Sequence, residues 1–365
     1  MRTPYFLIDK KKMVQNIKAM TKRAADARVN FRPHVKTHKT VEAAKLQVKG
    51  NFGGITVSTL AEAFFYSEAG FRDITYAYPI TPDKFSDVQE LGRRTDHFYI
   101  LLDHPETLRQ LEAFSIENDC RFSVFLKVDS GSSRAGVNPK EENSFLLAEA
   151  ISQSRNIDFT GILSHAGHTY QCRSIEEVKE HALKEARLME SFATELERRN
   201  IPCPVISVGS TPGNVHGTCY EKINEIRPGN YVLFDKTQAD IHSCTLDEVA
   251  CFVMSRVIGH YPDRNRLLFD AGALALSKDQ GAVHMNDRIT YGHIVGHPDL
   301  NIVGLSQEHG IAEQEKVIDY SKYPIGSLLK IIPNHSCLSA ALFPEYQVEE
   351  NGVIVDVWKP VRGWG

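Results

Sequence analysis

The first two thirds of the chain alternate short runs of β-branched residues with amphipathic helical stretches, and this rhythm limits the fold more than any other feature. The strand-like runs cover residues 30–36, 54–57, 73–78, 97–102, 123–129, 159–164, 205–209 and 231–234. The helical patterns cover residues 10–27, 60–69, 105–117, 141–154 and 175–199. Thr59 with Glu62, and Ser174 with Glu177, have the spacing that caps a helix N-terminus. About eight such units predict an α/β fold built on a (β/α)8 TIM-type barrel.

After Asp240 the pattern changes to strand-like runs with turns between them, at residues 251–260, 266–270, 326–332 and 353–357. Helical periodicity is almost missing from this part of the sequence, which is typical of a mainly antiparallel β domain. We therefore expect a barrel at residues 9–238, followed by a β domain at residues 239–365 that also takes in residues 1–8.

Composition excludes several classes of partner. The chain has 365 residues, and its 42 basic and 46 acidic side chains leave a net charge of −4, so no overall positive field favours nucleic acid or an anionic membrane. No apolar run approaches the roughly 18–20 residues of a membrane span, and the first residues lack the apolar segment of a signal peptide. The seven cysteines, at positions 120, 172, 203, 219, 244, 251 and 337, are scattered and odd in number. This does not fit a disulfide framework, and we expect a cytoplasmic protein.

Residues 29–40 gather two lysines, an arginine and two histidines around a proline. Crowded cations favour the neutral amine, which is the nucleophilic form of lysine, so Lys36 is a candidate Schiff-base lysine. The alternative interpretation of this segment is a solvated basic turn or a phosphate-binding patch.

Other unusual clusters follow the predicted strands, at residues 129–136, 164–170, 209–213 and 227–231. Catalytic groups of a TIM-type barrel lie at the carboxyl ends of its strands, so these clusters belong to one face. The Gly-Ser-Thr turn at 209–211 is a natural phosphate cradle, because glycine lets backbone N–H groups approach an anion closely. An amine, a phosphate cradle, ring-stacking side chains and an arginine on one face together suit a phosphorylated aldehyde cofactor.

The segments 32–39, 165–170, 209–212, 227–231 and 270–272 together resemble the D-serine dehydratase and D-threonine aldolase family of pyridoxal-phosphate enzymes, which have the alanine-racemase type of fold. The resemblance implies that Lys36 carries pyridoxal 5'-phosphate and that His165 stacks on or abuts its ring. It also implies further cofactor-binding residues, namely Tyr170, Ser210, Thr211, Gly229 and Asn230. Arg134 and Arg227 remain alternative contacts of the ring or of its phosphate.

A His-x-Cys pair, His335 and Cys337, lies in the predicted β domain. On an extended strand, residues i and i+2 point to the same side, so both side chains can bind one ion; the alternative is an ordinary buried pair. The dehydratases of the resembling family share a His-x-Cys zinc pair, whereas its aldolases tend to place a carboxylate at the position of Cys337. Thiolate favours zinc over magnesium, calcium or manganese, so we expect Zn2+.

The resemblance implies a lyase that acts on D-3-hydroxy amino acids, with D-serine giving pyruvate and ammonia. Lys36 is then the nearest candidate base for the α-proton, and zinc assists the departure of the hydroxyl group. D-Threonine and D-threo-3-hydroxyaspartate remain alternative substrates. A metal-assisted D-threonine aldolase is a second hypothesis, and a non-catalytic pyridoxal-phosphate carrier is a third, although such carriers lack a second domain.

Two further expectations are weaker. The loop at residues 277–284 either faces the site or is a surface turn. The resembling fold forms head-to-tail dimers, and we expect a homodimer on that ground alone.

Overall fold

Eight parallel strands form the sheet of the barrel in the computed structural model, which describes residues 1–217 and 220–364. After β1 (Tyr5–Asp9) in the other sheet, these strands are β2 (Asn30–Phe31), β3 (Ile55–Val57), β4 (Asp73–Pro79), β5 (His97–Leu102), β6 (Phe122–Lys127), β7 (Ile157–Leu163), β8 (Val205–Val208) and β9 (Glu225–Ile226). Their order is β2-β9-β8-β7-β6-β5-β4-β3. A parallel bridge between His34 and Thr56 joins the two ends of this order, so the sheet closes. The predicted barrel is confirmed.

Helices connect these strands and cover the sheet. They are α1 (Lys10–Asp26), α2 (Val41–Val48), α3 (Leu60–Glu68), α4 (Phe85–Arg94), α5 (Pro105–Glu117), α6 (Glu142–Gln153), α7 (Ile175–Arg198) and α8 (Thr211–His216). The five predicted helices match α1, α3, α5, α6 and α7 to within a residue at each end. The prediction missed α2, α4 and α8, which are short and carry few apolar repeats from which a period can be recognised.

Two of the predicted caps are present, with one difference in geometry. The backbone N–H of Glu62 donates to Thr59 Oγ1 at 3.1 Å, and that of Glu177 donates to Ser174 Oγ at 3.2 Å. The glutamates reach back to the backbone N–H of Ser58 and Arg173, one residue before the cap. In each case two donors at the start of the helix are satisfied, as the predicted spacing requires.

Two strand predictions, at residues 30–36 and 231–234, were wrong, and both segments lie next to predicted site residues. The strand predicted at 30–36 ends at Phe31, and a 3-10 turn follows at Val35–Thr37. The strand predicted at 231–234 is a 3-10 turn at Asn230–Val232, and the eighth barrel strand is β9. Phe234, with a left-handed φ of 52°, cannot continue a strand.

The second sheet contains nine strands. Besides β1 they are β10 (Cys251–Tyr261), β11 (Arg266–Phe269), β12 (His293–Ile294), β13 (Asn301–Leu305), β14 (Gly310–Glu313), β15 (Leu328–Ile332), β16 (Tyr346–Glu350) and β17 (Val353–Trp358). Three short helices accompany them: α9 (Lys236–Asp240), α10 (Ala273–Leu276) and α11 (Ser336–Ala341). All neighbouring strands pair antiparallel except β1 with β16. This confirms a mainly antiparallel β domain.

The chain separates into two compact units, one of residues 19–229 with 361–365 and one of residues 1–18 with 230–360. Within the described ranges, no helix has the length and apolar character needed to cross a membrane. The six described cysteines are thiols, and Cys219 lies outside the described residues.

The barrel requires a glycine at one point of β7, which gives a test of the strand packing. Gly161 has φ +141°, and a Cβ atom there would lie 2.0 Å from the carbonyl oxygen of Val205 in β8. Gly161→Ala should therefore lower the free energy of unfolding by at least about 2 kcal/mol, measured by urea titration. Gly92 in α4 is the control, because a Cβ there meets nothing within 4 Å. Gly92→Ala should stabilise the protein by roughly 0.5–1 kcal/mol, and equal effects of the two variants would contradict this packing.

Candidate active site

Lys36 lies in the 3-10 turn that follows β2, at the carboxyl end of the barrel. His34 caps this turn, with its Nδ1 accepting the backbone N–H of Lys36 at 3.4 Å. A Cβ on Gly229 would lie 3.1 Å from the Cβ of His34, so the Gly229 backbone packs closely against the same turn. The turn that presents Lys36 is thus fixed by one side-chain cap and one close backbone contact.

His38 fixes the other side of the turn and is fully buried. Its Nε2 bonds the amide oxygen of Gln47 at 2.8 Å, while its Nδ1 accepts the backbone N–H of Thr40 at 3.0 Å. These partners require the neutral ring with its proton on Nε2, because a proton on Nδ1 would face the Thr40 N–H. Burial accordingly lowers the pKa of His38 to about 4, despite its hydrogen bonds to Gln47 and Thr40.

The loop after β7 and the start of α8 meet through hydroxyl groups. Thr169 Oγ1 donates to the carbonyl of Ala166 at 2.7 Å and lies 3.0 Å from Ser210 Oγ. Ser210 Oγ accepts the backbone N–H of Gly213 at 3.0 Å, so Ser210 is the N-cap of α8 and Thr211 is its first residue. The sequence suggested a phosphate cradle here, and the structure shows buried hydroxyls beside a tight glycine turn.

Arg227 follows β9 and is 6% exposed. Its Nη1 donates to Ser207 Oγ and its Nη2 to the backbone carbonyl of Ser164. Ser207 Oγ in turn donates to Glu225 at 2.5 Å. A guanidinium has five N–H donors, so these two protein bonds leave donors for a ligand.

Four cations act electrostatically on the ring of His165: Lys36, Arg134, Lys127 and Arg227. Burial, and then the charges of these four groups, lower the pKa of His165 well below its ordinary value. Burial also lowers the pKa of His34 well below its ordinary value, and the charges of Lys36 and Arg227 are the next largest causes. Both rings are therefore neutral at physiological pH, and the excess positive charge favours an anionic ligand.

These residues fit pyridoxal phosphate, whose phosphate and phenolic oxygen are anionic. The sequence-predicted residues all lie in segments that follow the carboxyl ends of barrel strands, namely Lys36, His165, Tyr170, Ser210, Thr211, Arg227 and Gly229. Arg134 is exposed, in the loop after β6, and its effect on His165 is electrostatic. Asn230 belongs to the other compact unit, where its side chain makes different contacts.

The His335 and Cys337 pair was predicted on an extended strand, and this was wrong. His335 is the N-cap of α11 and Cys337 is the second residue of that helix. Their side chains nevertheless interact. Burial of the ring lowers the pKa of His335, but its hydrogen bonds to Asp279 and Cys337 outweigh this effect and raise the pKa. Across the described ranges, no group of three or more His, Cys, Asp and Glu side chains is arranged around a metal position. Two protein ligands of this kind leave coordination positions open, which fits a catalytic rather than a structural metal.

Asn230 and Asp235 hold the helix that carries Cys337. The side-chain amide of Asn230 donates to Asp235 at 2.6 Å and to Ser336 Oγ at 3.0 Å, and it lies 3.9 Å from Cys337 Sγ. Asp235 Oδ2 also accepts the backbone N–H of Ser336 at 2.9 Å. The side chain of Asn230 therefore organises the surroundings of Cys337.

Sequence reasoning left Asp279 undecided and missed Lys127 and Glu185. Asp279 belongs to the loop 277–284, and its Oδ2 lies 3.3 Å from His335 Nδ1. Its carboxylate accepts the backbone N–H of Gly281 at 2.7 Å, and its backbone carbonyl accepts a hydrogen bond from Asn334 at 2.9 Å.

Glu185 has a signal in the sequence that could have been recognised, since it is a carboxylate on the buried face of α7 between Val178 and Met189. Lys127 ends a strand that is apolar except for Ser123, and it has no such signal.

Comparison with known proteins decides the family. The family model of the alanine racemase N-terminal domain matches residues 8–237, and that of the putative serine dehydratase domain matches residues 250–349. The D-serine dehydratase of Dictyostelium discoideum is 38% identical, covering 100% of this chain and 98% of the relative. The chain belongs to the D-serine dehydratase family.

Other members of the family differ in substrate. D-threo-3-hydroxyaspartate dehydratase of Delftia sp. (strain HT23) is 33% identical, covering 99% of this chain and 98% of the relative. A solved structure of a cysteine-to-alanine mutant of a D-threo-3-hydroxyaspartate dehydratase, in the metal-free form, has a TM-score of 0.96 and 32% identity, covering 100% of this chain and 98% of that one. The predicted family is confirmed, while the roles of individual site residues stay predictions.

The neutral ring of His38 gives a pH prediction for the cofactor-free protein. Its folded pKa of about 4 lies below the roughly 6.5 of an unfolded histidine, so the unfolded state binds the extra proton. Stability from this ring is present above pH 6.5 and is lost as the pH falls toward 4. Between pH 7.5 and 5.5 the wild type should lose about 1 kcal/mol more unfolding free energy than His38→Gln, measured by urea titration. Parallel pH curves for the two proteins would show that folding does not lower the pKa of His38.

Proposed function

We propose that this protein is a pyridoxal-phosphate- and zinc-dependent dehydratase that converts a D-3-hydroxy amino acid, above all D-serine, to a keto acid and ammonia. The observation that carries the proposal is the thiol of Cys337 beside His335, because a thiol and an imidazole suit zinc. The D-serine dehydratase and D-threo-3-hydroxyaspartate dehydratase among the relatives support the reaction class.

In the barrel, Lys36 would carry the cofactor and serve as the base that receives the α-proton of the substrate. Arg227, Tyr170 and the hydroxyls of Ser210 and Thr211 would hold the ring and phosphate, with Gly229 allowing the close approach of backbone. His165, whose lowered pKa keeps it neutral, would stack on or abut the ring. When bound, pyridoxal phosphate supplies an electron sink that makes the α-carbon of an amino acid acidic.

In the β domain, His335 and Cys337 would hold zinc, with the remaining positions open to the substrate hydroxyl. A zinc ion there supplies a Lewis acid for the departing oxygen. The Asp279 carboxylate occupies Nδ1 of His335, which fixes the ring and leaves Nε2 for the metal. Asn230 and Asp235 keep Cys337 in place through α11.

Two other reactions use similar residues. A D-threonine aldolase would give glycine and acetaldehyde, and a D-threonine aldolase of Arthrobacter is among the more distant relatives. A preference for D-threo-3-hydroxyaspartate would give the same class of elimination on a dicarboxylate. Product analysis with D- and L-serine, D-threonine and both hydroxyaspartate diastereomers, with and without a chelator, separates these reactions.

We further propose a homodimer that acts in the cytoplasm. The dimer rests on the resemblance to head-to-tail dimers of this fold, and the location rests on the scattered cysteines, which are odd in number. Sedimentation equilibrium, combined with activity at low concentration, tests the assembly.

The role of Lys36 can be tested by trapping. The purified protein should be yellow, and Lys36→Ala should lose both activity and the borohydride-stable cofactor adduct, because the amine that forms the linkage is gone. The adduct is located by peptide mass spectrometry. Lys45→Ala is the control, since this lysine is exposed on α2. An adduct on Lys39 or Lys127 would refute the assignment.

The role of the metal pair can be separated from cofactor binding. His335→Ala and Cys337→Ala should keep the yellow cofactor but lose zinc, and keto-acid release should fall roughly a thousandfold, because a Lewis acid at the leaving oxygen supplies several kcal/mol. Exchange of the substrate α-proton with heavy water should fall less.

Zinc content, absorbance, exchange and keto-acid release are measured on the same preparations. Cys120→Ala, a cysteine after α5, should behave as the wild type. Full keto-acid release from a zinc-free Cys337→Ala protein would leave the pair with a structural role only.

A further inference from the structure

Arg227 is a buried cation whose two protein hydrogen bonds both go to neutral groups, Ser207 Oγ and the Ser164 carbonyl. Burying a guanidinium without a counter-charge is costly, so a carboxylate must act on it through another residue. Glu225 does so through Ser207, with an Oγ to Oε1 distance of 2.5 Å. Glu225 is also paired with Arg32, whose Nε lies 2.7 Å from Glu225 Oε2, so its charge is shared.

Glu185 is also linked to Arg227 through a serine, in this case Ser164. It lies on α7 and is 4% exposed. Ser164 Oγ donates to Glu185 Oε1 at 2.6 Å, and Ser130 Oγ donates to the same oxygen at 3.3 Å. The residue whose carbonyl accepts from Arg227 therefore binds Glu185 through its own hydroxyl. No hydrogen bond or ion pair of the described residues joins this carboxylate directly to an arginine or a lysine.

Lys127 is the second cation that this carboxylate faces. It ends β6, is 6% exposed, and donates to the carbonyl of Val128 at 3.1 Å. Burial and then the charge of Arg227 lower the pKa of Lys127 to about 8, whereas the charge of Glu185 raises it. Two smaller effects follow, since Arg134 lowers this pKa and Asp129 raises it. Burial raises the pKa of Glu185, and the Ser164 hydrogen bond together with Arg227 and Lys127 opposes that rise.

We propose that Glu185 is a positioning residue for the cofactor pocket: through Ser164 it fixes Arg227, and its buried carboxylate balances the charges of Arg227 and Lys127. This inference rests on the proposed binding of pyridoxal phosphate in the barrel. The hydrogen bonds of the Glu185 carboxylate go to Ser164 and Ser130. Its charge acts on the pocket through Lys127 and Arg227. These two cations interact with Glu185, and both also lower the pKa of His165.

Glu185→Gln tests the charge, because glutamine keeps the size and can still accept from Ser164. Loss of a negative charge makes the pocket more positive and disfavours the protonated, cationic form of the lysine–cofactor linkage. The pH midpoint of the visible absorption band should therefore fall by at least about 0.5 unit in cofactor-loaded protein. Glu180→Gln is the matched control, since Glu180 is exposed on the same helix and paired with Lys184, and its midpoint should not move.

Lys127→Met supplies the decisive comparison. Removing this cation alone should raise the midpoint, and the double variant Glu185→Gln with Lys127→Met should return it to within about 0.2 unit of the wild type, because both charges of the pair are gone. Glu185→Asp should restore most of the wild-type midpoint. A purely structural role of Glu185 predicts no such compensation.

An unchanged midpoint in Glu185→Gln, or a double variant that stays at the value of Glu185→Gln, would overturn the proposal. If Glu185→Gln fails to fold, Ser164→Ala decides, since it removes the hydroxyl link and keeps the carbonyl that binds Arg227; a downward shift supports the proposal and no shift refutes it. A wild type that binds no pyridoxal phosphate, or a Lys36→Ala variant that keeps the band, would refute the proposed cofactor instead.

Discussion

The burial of Arg227 at the carboxyl end of the barrel is the constraint on which the cofactor pocket depends. A guanidinium removed from water needs both hydrogen bonds and counter-charge. Ser207 and the Ser164 carbonyl supply the hydrogen bonds, while Glu225 and Glu185 supply charge one residue further away. Neither carboxylate uses up the donors of Arg227, so the cation is held in place and can still bind an anionic ligand. The arrangement ties β7, β8, β9 and α7 into one unit around the pocket.

Close backbone contacts pack the turn that carries Lys36 against the segment that follows Arg227. Gly229 packs on His34, and a Cβ at Gly209 would lie 3.1 Å from the Arg227 carbonyl oxygen. His34 and His38 then fix the turn of Lys36 by accepting backbone N–H groups, which requires neutral rings. Burial keeps both rings neutral by lowering their pKa values. Burial of these two rings therefore sets their charge and also permits the hydrogen bonds that shape the turn of Lys36.

In the β domain, a different set of hydrogen bonds holds His335 and Cys337, the candidate metal ligands. Asp235 accepts from both Asn230 and Ser336, and this bonding begins α11 at His335. Asp279 reaches His335 from a loop more than fifty residues earlier in the chain. A pyridoxal-phosphate carrier of the single-barrel type lacks a second domain and therefore this arrangement, which favours an enzyme over a carrier. The family membership agrees with that interpretation.

The sequence alone determined the barrel, the β domain, the family and the segment that carries Lys36, because periodicity and local motifs are properties of neighbouring residues. It located α5 correctly from its amphipathic spacing of apolar residues. It failed where distant contacts decide local structure, as at residues 231–234 and at His335, where a strand was expected and a turn and a helix cap were found. Glu185, Lys127 and Asp279 acquire their partners only in the folded chain, since Glu185 meets Ser130 across 55 positions and Asp279 meets His335 across 56. Charge balance between buried groups depends on distances in space, and only the tertiary structure fixes those.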